Sequence, residues 1–306
     1  MKNIIYTILV LNVLFCTGCT DQLEETIYGK FPEEEYWKTE SELLTGLASA
    51  YGRLVIPWDA PFSLEVFKIE ECASDYAVGA GEWGDYTGWS SIFPGAINNV
   101  YDYLWSSISY CNKVIDKSEE GFQKTQAGEP GYSISKEVKE QIIVESRAVR
   151  VFCYFNLCTW FGGVPIVTSS TDHRPIIPKQ TQDSVYRFME NELKEVIPFL
   201  PTKSERMNMT KDYGRVTKGG AEAFLARIYL EQKKWQECAD LTTKLYEDNQ
   251  RTREYGLEGN YADIFSLQNE GYSNSEIMWA LPAAGCINGK AVSGMVLHAQ
   301  LSRPKK

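Results

Sequence analysis

Residues 218 to 248 read KGGAEAFLARIYLEQKKWQECADLTTKLYED, and this stretch decides the fold. Ala221, Leu225, Ala226 and Tyr229 recur at helical spacing in its first half. Trp235, Ala239, Leu241 and Leu245 do so in its second. The small residues Ala226 and Ala239 let two antiparallel helices approach closely. A helical hairpin of this kind buries its apolar faces only against neighbours, so the rest of the chain is expected to supply further helices stacked on it.

Working outward, the chain offers those helices. Thr39 and Glu42 form a capping-box pattern. Behind it Leu43, Leu44, Leu47, Ala48, Tyr51 and Leu54 predict a helix ending before Pro57. A second helix is predicted from Asn98 to Asp116, on the stripe Tyr101, Leu104, Trp105, Ile108, Cys111, Val114 and Ile115. A third runs from Ser135 to Thr159 and stops at Phe161-Gly162-Gly163-Val164-Pro165. A fourth begins at an Asp183 cap and ends near Phe199. Glu119 to Ser133 reads as a polar loop and Pro165 to Val167 as a brief strand. Residues 57–96 read as a long irregular segment broken by Pro57, Pro61 and Pro94 and by Gly79, Gly81, Gly84 and Gly88. The spacing in 218–248 resembles a tetratricopeptide hairpin. The expected fold is therefore mainly α, with tetratricopeptide-like stacked helix pairs and long irregular loops.

The N-terminus has a different character. Met1-Lys2-Asn3 is a short basic start, and Ile4 to Phe15 is almost wholly apolar. Twelve helical residues rise only about 18 Å against a hydrocarbon core of about 30 Å, so this is a signal-peptide core and not a span. It ends in Cys16-Thr17-Gly18-Cys19, the pattern of a lipoprotein signal peptidase site, with Cys19 lipidated and left as the new N-terminus. Several acyl chains on one cysteine anchor firmly, at about 0.8 kcal/mol per buried methylene. The expected organisation is a lipoprotein signal peptide over 1–18, an acidic tether over 19–36 carrying Asp21, Glu24 and Glu25, a helical domain over 37–281, and a poorly ordered or aberrant tail over 282–306.

Composition excludes several function classes. A net charge of -10 without a Lys/Arg cluster argues against nucleic acid, whose phosphates need concentrated positive charge. With Cys16 and Cys19 set aside, six cysteines remain, none at metal-binding spacing, and they are read as free buried thiols. Only His173 and His298 could serve a histidine-based metal site or triad. No cofactor and no metal is implied. Thr217-Lys218-Gly219-Gly220 lacks the phosphate-loop pattern, so nucleotide binding has no support.

The candidate binding residues lie in Glu82-Trp83-Gly84-Asp85-Tyr86-Thr87-Gly88-Trp89. Sugars are bound by stacking their C–H faces on aromatic rings while polar groups take the hydroxyls. Trp83, Tyr86 and Trp89 suit the first task, Glu82 and Asp85 the second, and long loops inside domains are often functional. The competing reading is that these rings pin the loop to the helical core. Trp105, Trp160 and Trp235 sit on or beside apolar stripes and are read as core. Arg147 and Arg150 could meet an anionic ligand but are read as structural ion pairs with Glu140, Glu145 or other carboxylates. Glu70, Glu71 and Asp75 are the only clustered carboxylates weighed for glycoside hydrolysis, and acidic surface is the better reading because neighbouring side chains diverge.

Several of these segments together resemble the SusD/RagB family of outer-membrane glycan-capture lipoproteins. The resemblance rests on Cys19 to Glu24, on Trp105 to Ile115, on Arg147 to Leu157 followed by Trp160 to Pro165, on Tyr213 to Ala221, and on Ser275 to Trp279. It implies a non-catalytic protein, lipid-anchored at the outer membrane and facing the exterior. Such a protein binds a nutrient glycan and delivers it to a SusC-like TonB-dependent outer-membrane transporter. It also implies that the segment holding Trp83, Tyr86 and Trp89 lies on a ligand face. A peptide-binding or purely protein-interaction scaffold of the same fold is the alternative. Family members continue well past Glu276, so the chain reads as a truncated or frameshifted product.

Overall fold

The structure is a computed structural model that describes residues 35–55, 60–72, 74–75, 77–78, 94–172, 174–207, 214–266, 269 and 274–281. The chain divides into two units, Met1–Tyr36 and Trp37–Lys306, and the following concerns the second. Its regular elements in order are α1 (Glu40–Val55), a π-helical turn (Pro61–Glu65), α2 (Val66–Glu70), α3 (Pro94–Gln126), α4 (Lys136–Phe161), α5 (Gln182–Val196), a 3-10 turn (Ile197–Phe199), α6 (Lys203–Met207), α7 (Lys218–Glu231), α8 (Trp235–Thr252) and a 3-10 turn (Tyr261–Phe265). No strand occurs among the described residues.

Capping chemistry sets the helix starts. Glu42 Oε2 accepts from the Thr39 backbone N–H at 2.8 Å while Thr39 Oγ1 accepts from the Glu42 N–H at 3.4 Å, the reciprocal box read from sequence. Ser135 caps α4, Thr217 caps α7, and Thr181 caps α5 with Asp183 in its first turn. The α5 cap thus lies two residues before the expected one, Asp183. Packing then aligns the elements: α3 runs against α1 and α4, α5 lies on α4, and α8 lies on α7. The shared core takes Val100, Leu104, Ile108 and Cys111 from α3, a one-face helical stripe. Val149, Cys153, Tyr154 and Leu157 of α4 meet it, and Val185, Met189 and Leu193 of α5 close the far side.

Four expectations are corrected. Glu119–Gln126 is helix, not loop, because Glu120 pairs with Lys117 at 2.6 Å and Lys124 at 2.8 Å on the α3 surface. Gly121, inside the expected loop, is a close-approach residue: a Cβ there would lie 2.4 Å from Ile134 Cδ1. Pro61–Glu70 is helical, since Pro61 sits in the first turn where its missing N–H costs nothing. Pro165–Val167 forms no strand, because its polar backbone is taken by Tyr154, whose hydroxyl accepts from the Val167 N–H at 2.8 Å and donates to the Val167 carbonyl at 3.0 Å.

The fourth correction concerns α8. It buries no residue fully, and Trp235 is 61% exposed. The inner face of α8 is carried by Cys238 and Leu241, which turns Trp235 and Ala239 outward, where no described element covers them. Trp235→Ala is accordingly expected to change stability by no more than about 0.5 kcal/mol in urea unfolding, against several for a buried tryptophan.

Candidate functional site

Glu82, Trp83, Asp85, Tyr86 and Trp89 lie outside the described residues, as do Cys19 and His173. The body that carries this segment is described. The chain enters through the π-helical turn, where Phe62 packs on Phe152 of α4 at 5.1 Å between centroids. It rejoins at Pro94, the first residue of α3. Cys72 on the way in and Ala96 on the way out are buried together, with Ile69 packed against them. The residues that flank this segment, Cys72 and Ala96, therefore meet at one place on the body.

Beside this junction runs a file of rings. Phe161 meets Tyr101 at 5.0 Å, Tyr101 meets Trp105 at 6.1 Å, Trp105 meets Tyr154 at 5.8 Å, and Tyr154 meets Phe188 at 5.2 Å. Most of the contacts are edge-to-face, the arrangement the ring quadrupole favours. Trp105 and Trp160 are half-buried against the core, in keeping with the reading from sequence.

Arg147 and Arg150 of α4 are structural. Arg147 donates from Nε and Nη2 to the two Glu192 oxygens at 3.1 and 2.8 Å, a bidentate fork. Arg150 reaches Asn112 Oδ1 at 2.7 Å, the Thr168 carbonyl at 3.1 Å and Glu192 at 2.6 Å. Burial opposes ionisation of Glu192, yet the two guanidiniums outweigh it and hold its carboxyl below the usual range. The ion pairs expected for these arginines exist, with α5 carboxylates as partners.

Sequence reasoning missed a second cluster. Glu145, 1% exposed, accepts from Arg206 Nη2 at 2.7 Å, from Arg215 Nη2 at 2.6 Å and from the Tyr51 hydroxyl at 2.7 Å. Tyr51 in turn accepts from the Val216 N–H at 3.0 Å. Burial, then the Glu145 charge, pushes the Tyr51 phenol well above its ordinary value, so it stays a donor. The cluster ties α1, α4, α6 and the α7 entrance into one body. The available signal was a lone glutamate inside the apolar run of α4.

Little here resembles a reaction centre. Among the described residues no group of His, Cys, Asp and Glu is placed to hold a metal ion. Cys111, Cys153, Cys158 and Cys238 are free thiols, and burial pushes Cys153 up to about 12 and Cys158 to about 11, so neither is a thiolate at neutral pH. Glu70 and Asp75 are exposed and Glu71 half-buried. Gly219 and Gly220 serve packing: a Cβ would lie 2.2 Å from the Tyr255 hydroxyl and 2.6 Å from Trp279 Cβ respectively. Gly220 admits the returning 274–281 segment, whose Met278 carbonyl accepts from Thr217 Oγ1 at 2.7 Å.

Known proteins share this arrangement. Residues 64–230, more than half of the chain, match a SusD-like family described as starch-binding associating with outer membrane. "SusD-like protein P25" of Formosa agariphila is 23% identical over 96% of this chain and 54% of its own length. A "SusD-like protein" of Bacteroides ovatus is 22% identical over 92% of this chain and 50% of its own. The chain thus spans about half the length of these relatives. Surface glycan-binding protein A from Bacteroides uniformis has the same fold, with a TM-score of 0.65 and 20% identity over 79% of this chain and 52% of that one. Surface glycan-binding protein A from Bacteroides thetaiotaomicron, solved in complex with laminarihexaose, aligns at 0.61 with 19% identity over 79% and 49%. The helical body built from the 218–248 hairpin outward, and the match across its core, place this chain in the SusD-like family.

Proposed function

We propose that this protein captures a nutrient glycan by reversible binding, without covalent chemistry, and passes it to a SusC-like TonB-dependent outer-membrane transporter. Membership of a family described as starch-binding carries the reading. A relative of the same fold holding laminarihexaose supports an oligosaccharide as the ligand class. The binding platform is Trp83, Tyr86 and Trp89, with Glu82 and Asp85 for the hydroxyls, in the segment between Cys72 and Ala96, which are buried together. No described helix is long and apolar enough to cross a membrane, and the anchor in this reading is lipid on Cys19.

Two substitutions test the halves of the proposal. Trp83→Ala or Trp89→Ala is expected to lower affinity for the bound polysaccharide by about tenfold or more, the loss of one stacking plate and its desolvated contacts. Equal affinity in both variants removes the platform. Cys19→Ala is expected to move the expressed chain from the membrane fraction to the soluble fraction, and a variant that stays with membranes contradicts the lipid anchor.

A further inference from the structure

A second, unassigned groove lies near the far end of α3, and we infer that it is a neutral-glycan contact site separate from the Trp83–Trp89 platform. The inference rests on the glycan reading above. The groove is open, with a volume of about 700 Å3, within the range of small-molecule sites. Its apolar lining is Phe199, Ile143 and Val144, and Phe199 is 71% exposed. That ring is held out by rigid backbone: it ends the 3-10 turn Ile197–Phe199, between Pro198 and Pro201, and the Leu200 N–H closes the turn on the Ile197 carbonyl at 3.3 Å. A plate fixed in advance costs little entropy when a ligand stacks on it.

The polar lining defines the ligand's charge. Lys139 donates to Glu119 at 3.4 Å and lies over the Phe122 ring at 4.6 Å, while Lys136 faces Glu140 at 3.8 Å. The cations are thus already matched within the wall, and Gln141 adds a neutral donor and acceptor. Glu137 leaves the wall with one carboxylate in excess, so an anion finds no free cation, whereas a polyol finds donors and acceptors beside an aromatic face. That is the chemistry of an uncharged sugar.

The groove lies toward the opposite end of α3 from the point where the first platform's segment joins it. Glu119 lies about 37 Å along the α3 axis from Pro94, at 1.5 Å per residue. Trp89, five residues before Pro94, stays within about 18 Å of it. Two sites so separated on one rigid body would hold a long chain at two points, making the second contact intramolecular and raising avidity for polymer without raising affinity for short fragments.

The test uses the full mature chain, with starch and laminarin as polymers and their hexasaccharides as short probes. Phe199→Ala is expected to weaken retention by the bound polymer on the order of 100-fold, and calorimetry with the hexasaccharide should fall from two sites to one. Phe199→Trp keeps a plate and should keep both. Phe199 is exposed, so the fold should survive, as circular dichroism would verify. Unchanged polymer retention and site number in Phe199→Ala, with Trp89→Ala still impaired, overturns the second site and leaves the first standing. A wild-type chain that binds neither polymer overturns both. A concentration-dependent dimer that Phe199→Ala dissociates, without an effect on sugar binding, overturns the inference in favour of self-association.

Discussion

Glu145→Ala is expected to destabilise the protein by about 3–5 kcal/mol, seen as a lower urea midpoint at an unchanged slope. The carboxylate is 1% exposed and is shared by Arg206 and Arg215, with the Tyr51 hydroxyl as a third donor. Removing it strips the one carboxylate from a site that keeps two guanidiniums, and a buried charge without its counterion costs far more than the intact pair contributes. Glu145→Gln separates the causes. It preserves volume and one acceptor but not the charge, so a loss close to that of alanine assigns the effect to electrostatics. A variant within about 1 kcal/mol of wild type would show that the cluster is screened by solvent despite its burial.

Tyr154→Ala is expected to cost a similar amount, about 3–5 kcal/mol, through a cavity at the centre of the helical layers. The ring is fully buried between Trp105 at 5.8 Å and Phe188 at 5.2 Å. Its hydroxyl also serves both backbone groups of Val167, which holds the 164–168 segment to α4. Tyr154→Phe keeps the ring and removes only those two bonds, with an expected cost of about 1–3 kcal/mol for the backbone groups left unmatched. The difference between the two variants in unfolding experiments apportions packing and hydrogen bonding. A phenylalanine variant as damaged as the alanine one would mean that the Val167 anchor, and not the ring, governs the site.

Local chemistry made much of the fold legible. The Thr39 box, the Ser135 start and the 218–248 hairpin are decided by residues within one or two turns, so sequence suffices for them. The failures come from partners distant in the chain. Gly121 looks like part of a loop until Ile134 is seen against it, and Trp235 looks like core because its spacing says nothing about whether another helix covers α8. Glu145 meets Arg206 and Arg215 across some sixty and seventy residues, and no periodicity announces such a meeting. The candidate platform was legible only as chemistry: aromatic rings beside carboxylates in a glycine-broken segment. Phe199 read as the end of a helix, and only the fold places Ile143 and Val144 beside it.

The most direct measurement is affinity electrophoresis of the mature chain, carrying serine in place of Cys19, through gels containing starch, laminarin or no polysaccharide, with the eluted sugar checked for cleavage. Binding without turnover predicts retardation in at least one polysaccharide gel, none in the control gel, and polymer recovered at its original length. A chain that is folded by circular dichroism yet migrates equally in every gel, or that leaves shortened polymer behind, contradicts the account.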